Sequence, residues 1–117
     1  MAHSLESTKM NTGSIVKTWI WQKSTGGGSN PYTATPKTIG FTKKVIFTPD
    51  GRVIPYKNNV EIRNSAYQIE KGSSFFDQSE NDLITFEGKT YITESLDNQN
   101  LTIVSNNQDA TLTIFKR

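Results

Sequence analysis

The sequence predicts an all-β domain, an antiparallel up-and-down β-barrel of eight strands, on three observations. Its periodic stretches are built from Thr, Ile, Val, Phe, Tyr and Trp, residues that suit a pleated, half-buried surface. Apolar and polar residues alternate along them with a period of two. Turn-forming residues recur between them at short, regular intervals, as in a meander of hairpins. Eight successive antiparallel strands leave two exposed edges unless the sheet closes, and closure removes both. A two-sheet β-sandwich satisfies the same periodicity and stands as the alternative.

At 117 residues the chain has room for one domain. Residues 1–14, MAHSLESTKMNTGS, are polar and contain the only histidine, His3, so they read as a disordered leader or tag remnant. The domain is expected over residues 15–117. Its first strand, Ile15 to Ser24, sets Trp19 and Trp21 on one face with Ile15. The segment TGGGSNPYTATP is rich in Gly, Ser, Asn and Pro and reads as a long loop, residues 25–37. From Ile39 to Thr48, Ile39, Phe41, Val45 and Phe47 point one way, and Lys43 breaks the apolar face as a rim residue would.

Pro49-Asp50-Gly51 supplies a fixed φ followed by a residue free to take φ > 0, so the chain reverses into Arg52 to Tyr56. Pro55 cannot donate to a ladder, which predicts an edge, a bulge or a strand end there. Further strands are read at Val60 to Glu70, Leu83 to Phe86, Thr90 to Glu94, Leu101 to Val104 and Thr111 to Phe115, with Ser74 to Phe76 too short to count. Gly72, Asn81-Asp82, Gly88, Asp97-Asn98 and Asn106-Asn107 supply the turns. No helix is expected.

The side-chain inventory argues against catalysis. There is no cysteine, and the histidine lies in the leader, so a Ser-His pair, a Cys-His pair and a thiolate or imidazole metal site in the domain are all excluded. The densest acidic cluster, Asp77, Glu80, Asp82 and Glu87, flanks turns, where carboxylates are usually solvated. TGGGS lacks the Lys-Ser/Thr ending of a phosphate loop. No enzyme activity and no cofactor are expected. A formal charge of +2 from 13 basic and 11 acidic side chains is too even to attract nucleic acid. Lys37, Lys43, Lys44, Arg52 and Lys57 fall on neighbouring segments and read as a solvated face. No apolar stretch approaches the roughly 18 residues of a membrane-spanning helix, and the leader has no apolar run to serve as a signal peptide.

A tryptophan in the first strand, a Gly/Pro loop, FTPDGRV, a Tyr then Ile in AYQIE, NDLITFE and a closing TLTIFKR appear in an order that resembles the small lipocalin-like domains of secreted and lipid-anchored bacterial proteins, especially of the Bacteroidetes type. The resemblance covers residues 14–117. Lys17-Thr18-Trp19 stands where such chains carry Gly-x-Trp, with Lys17 in place of the usual Gly. Arg117 matches the closing basic residue that packs on that Trp, so Trp19 and Arg117 are the expected closure of one barrel end. The resemblance implies export to the cell envelope, outside the cytoplasm, lipid attachment through a cysteine absent here, and a cavity for a small hydrophobic ligand.

Trp19, Trp21, Phe41, Phe47, Tyr56, Tyr67 and Phe86 are the candidate ligand-lining residues, with Phe115 a further ring for the same interior. An eight-stranded barrel is just wide enough to fill itself with side chains or to hold one small ligand. Short strands and bulky rings favour the filled core. Trp21, Tyr32 and Tyr91 are alternative candidates for a surface stacking platform. From another class comes a protein-interaction or inhibitor module, packed solid and engaging a protein partner through loop 25–37.

Overall fold

The structure, a computed structural model, describes residues 15–27, 31–74, 79–107 and 110–117. The expected leader, residues 28–30 of the long loop and Phe75-Phe76 lie outside the described residues. The strands are β1 Thr18–Gly26, β2 Tyr32–Ala34, β3 Lys43–Phe47, β4 Arg52–Lys57, β5 Val60–Glu61, β6 Ser65–Ser73, β7 Glu80–Phe86, β8 Lys89–Leu96, β9 Asn100–Ser105 and β10 Leu112–Lys116.

Eight of them pair in the cyclic order β1-β3-β4-β6-β7-β8-β9-β10, and β10 returns to β1, so an antiparallel up-and-down sheet closes into a ring. These eight correspond to the eight strands read from the sequence. Two short strands complete the sheet: β2, an addition, pairs with the far half of β1, and β5 pairs with the end of β4, so the single strand expected from Val60 to Glu70 is split into β5 and β6 with residues 62–64 outside both. A bulge between Trp21 and Lys23 bends β1 where it runs beside β10. The β4–β6 junction is the slightest in the ring, with Arg52 opposite Ala66 and Val53 opposite Ser65.

The hairpin expected at Pro49-Asp50-Gly51 forms. Gly51 takes φ 86°, its N–H reaches the Thr48 carbonyl at 3.2 Å, and Phe47 faces Val53 across the ladder. Pro55 is interior to β4, opposite Val45, and not at a sheet edge. Its missing donor faces the other flank, where β4 changes partner from β6 to β5 and the Pro55 carbonyl accepts the Ile62 N–H at 2.8 Å.

Three local expectations are corrected. The long loop is structured in part: Thr25 and Gly26 belong to β1, Tyr32–Ala34 form β2, and Pro36–Ile39 form a helical turn, α1. Thr35 caps α1 through a reciprocal box with Thr38, Pro36 opens it, and Gly40 at φ 84° ends it. A single turn is too short to display a 3.6-residue period, which is why Ile39 reads as strand. Gly72 and Asn81-Asp82 lie inside paired strands, Gly72 opposite Asn81 and Asp82 opposite Lys71. Leu83 occupies the space a Gly72 Cβ would need, so this glycine marks close packing and not a chain reversal.

Alternation places Trp19, Trp21, Phe47, Val53, Tyr67, Ile84, Leu101, Ile103 and Phe115 inside the ring, where they form one core with Ile15. Ile15, ahead of β1, is completely buried and accepts the Trp19 indole N–H on its carbonyl at 3.0 Å. That contact lies at the end of the ring that also carries the β3–β4 turn.

The β8–β9 turn is held by Asp97, whose carboxylate accepts main-chain N–H groups of Gln99 and Asn100, both at 2.8 Å. These bonds hold the Asp97 carboxyl below the usual carboxylate range. A carboxyl whose folded pKa is depressed stabilises above its unfolded pKa, and that contribution fades as pH falls through the folded value. Asp97→Ala is therefore expected to lower the urea midpoint at pH 7, and by less at pH 2. An unchanged gap at both pH values would mean the carboxylate charge plays no part.

Candidate functional site

The seven candidate lining residues divide by depth. Trp19 is fully buried. Phe47, Tyr67 and Phe86 meet edge to face, with Phe47 5.0 Å from Tyr67 and 6.1 Å from Phe86, in the geometry aromatic quadrupoles favour. The Tyr67 hydroxyl donates to the Thr48 carbonyl at 3.3 Å; burial, with Asp50 beside it, raises its pKa. Trp19, Phe47 and Tyr67 belong to the core, and Phe86 packs against it.

Trp21 belongs to the same core, whereas Phe41 and Tyr56 stand outside it. Trp21 is buried, bonded through its indole N–H to Ser24 Oγ at 2.9 Å, and forms a wall of an open hollow of about 260 Å³. Val45, Pro55, Ile62, Thr113 and Phe115 also line that hollow. Phe41 lies on the link between α1 and β3, half-buried, outside the core. Tyr56 pairs with Lys44 on the outer face, in register with Ile20 of β1, so it borders the hollow from outside. Arg117 is exposed, and the cation over the Trp19 ring is Lys17, 5.9 Å from its centroid.

The rim of the hollow is cationic. Lys43 Nζ lies 4.8 Å from the Trp21 ring and 5.6 Å from Phe41. Lys57, directly opposite Lys43 in the β3–β4 ladder but not part of the lining of the hollow, also sits 4.3 Å from the Phe41 ring. Lys44 lies 5.0 Å from the Tyr56 ring. Arg63 and Glu87 complete the rim as an ion pair at 3.0 Å.

A second recess, about 580 Å³, opens beside the first, and Thr113 lines both. Tyr32 and Tyr91 are brought together there with Ser105, Asn106, Asn107 and Thr111, whereas Trp21 is not part of it. Tyr91 stacks on Phe86 at 5.1 Å; burial, then Glu87, raises its pKa, so the phenol stays protonated at neutral pH. Of the acidic cluster, Asp77 lies outside the described residues, Asp82 pairs with Lys71 at 3.1 Å and Glu87 pairs with Arg63. Among the described residues, no three His, Cys, Asp or Glu side chains gather as a metal site, and no helix is long and apolar enough to cross a membrane.

Lys43, expected at a rim from its break in an apolar face, is exposed and lines the hollow. Sequence reasoning missed Pro55, Ile62, Arg63 and Thr113, which reach the hollow from separate segments with no shared pattern. Comparison with protein-family models, curated proteins and solved structures finds no match to this chain.

Proposed function

We propose that this protein is a non-catalytic, lipocalin-like β-barrel binding module that holds a small, largely apolar ligand at the open end of its ring. The observation that carries this reading is the uneven filling of the interior. Trp19, Phe47, Tyr67 and Phe86 pack one part solid, while Trp21, Val45, Pro55, Ile62 and Phe115 wall a hollow that reaches solvent. Concave, mainly apolar sites with a few polar groups at the margin are the usual form of small-molecule sites. At about 260 Å³ this one suits a ligand below drug size. By the sequence resemblance, the module works in the bacterial cell envelope, outside the cytoplasm.

Native mass spectrometry of the purified protein, followed by organic extraction, tests the reading. The expected result is a reproducible apolar adduct, displaced by an apolar fluorescent probe whose emission rises on binding. Bare protein that leaves such probes dark would rule the reading out.

A further inference from the structure

We infer that the ligand of this hollow is an organic anion, held by its apolar body against Trp21 and by its charged group at Lys43. The inference deepens the binding-module reading and rests on it. Lys43 and Lys57 are Cα partners across β3 and β4, an arrangement in which two like charges repel. Both ammonium groups approach Phe41, and Lys43 also approaches Trp21. Ring faces offset part of the repulsion. They do not neutralise it.

No carboxylate does so either. Among the described residues, Glu87 is taken by Arg63, the other ion pair is Lys71–Asp82 on β6 and β7, and no acidic group lies within 4.0 Å of Lys43, Lys44 or Lys57. Three cations and one carboxylate line the hollow, so its margin is positive. An entering anion would meet Lys43 at the point where the wall turns from ammonium to indole. A charge-assisted contact is stronger than a neutral hydrogen bond, and more so beside an apolar wall that excludes water. The hollow has the volume of about nine waters at ~30 Å³ each, the scale of a medium-chain carboxylate.

The test is calorimetric titration with octanoate, octan-1-ol and octylammonium at low salt, with Trp fluorescence recorded in parallel. Octanoate is expected to bind at least about tenfold more tightly than octan-1-ol, and octylammonium more weakly than either. Lys43→Met should abolish the preference for octanoate over octan-1-ol. Raising salt should weaken octanoate alone. Equal binding of octanoate and octan-1-ol, or a preference that survives Lys43→Met, would overturn the anion assignment while leaving the hollow a ligand site. Failure of all three probes to bind would overturn the hollow reading itself. Near-ultraviolet circular dichroism of the variant separates lost recognition from lost fold.

Discussion

Replacing Trp19 with Ala is expected to destabilise the protein by about 3–5 kcal/mol, the range for deleting a large ring from a packed interior. Trp19 is fully buried and its indole N–H bonds to the Ile15 carbonyl, so its loss leaves a cavity and a buried carbonyl without its donor. For a domain of this size the drop in Tm should be on the order of 15 °C. Trp19→Phe keeps much of the packing but leaves the Ile15 carbonyl without its donor, and should fall between the two proteins. Urea and thermal unfolding monitored by circular dichroism decide the matter; a loss below about 1 kcal/mol for Trp19→Ala would refute the assignment of Trp19 to the packed core.

Phe47→Ala should cost a similar ~3–5 kcal/mol, whereas Phe41→Ala should cost no more than about 1 kcal/mol. The two phenylalanines carry the same chemistry in neighbouring segments, and both are inward candidates by alternation alone. Phe47 is 4% exposed, meets Tyr67 and Phe86 edge to face, and belongs to the core. Phe41 precedes β3, half-buried under Lys43 and Lys57. A double-mutant cycle between Phe47 and Tyr67 should return a coupling of about 0.5–1.5 kcal/mol, the excess that an edge-to-face pair adds to its area. Comparable losses for Phe41→Ala and Phe47→Ala would contradict this division of the aromatics.

The division also marks how far the strand pattern carried the site. Trp19, Phe47, Tyr67 and Phe86 each follow from a period of two, because alternation alone decides which side chains face inward within a strand. Phe41 did not follow, because the strand begins at Lys43, after α1 and Gly40 have re-aimed the chain. Tyr56 fell on the outer face because its partner is Lys44 and not Val45, a matter of register across the hairpin. Lys17 could not be chosen over Arg117 as the cation near Trp19, since both lie beside it along the chain or across the ladder, and side-chain direction decides.

The amino-acid sequence by itself determined the number of ring strands, the antiparallel order, the hairpin at Gly51 and the inward direction of the core rings. Each of these depends on interactions within a few residues: alternation, proline's fixed φ, glycine's freedom at positive φ. Which part of the interior is solid and which is hollow was decided only by the tertiary structure. Lys43, Pro55, Arg63, Glu87, Thr113 and Phe115 become neighbours through ring closure between β10 and β1 and through the exchange of β6 for β5 along β4. Filling depends on how side-chain volumes from distant strands meet at one level of the ring, a sum that no local pattern contains.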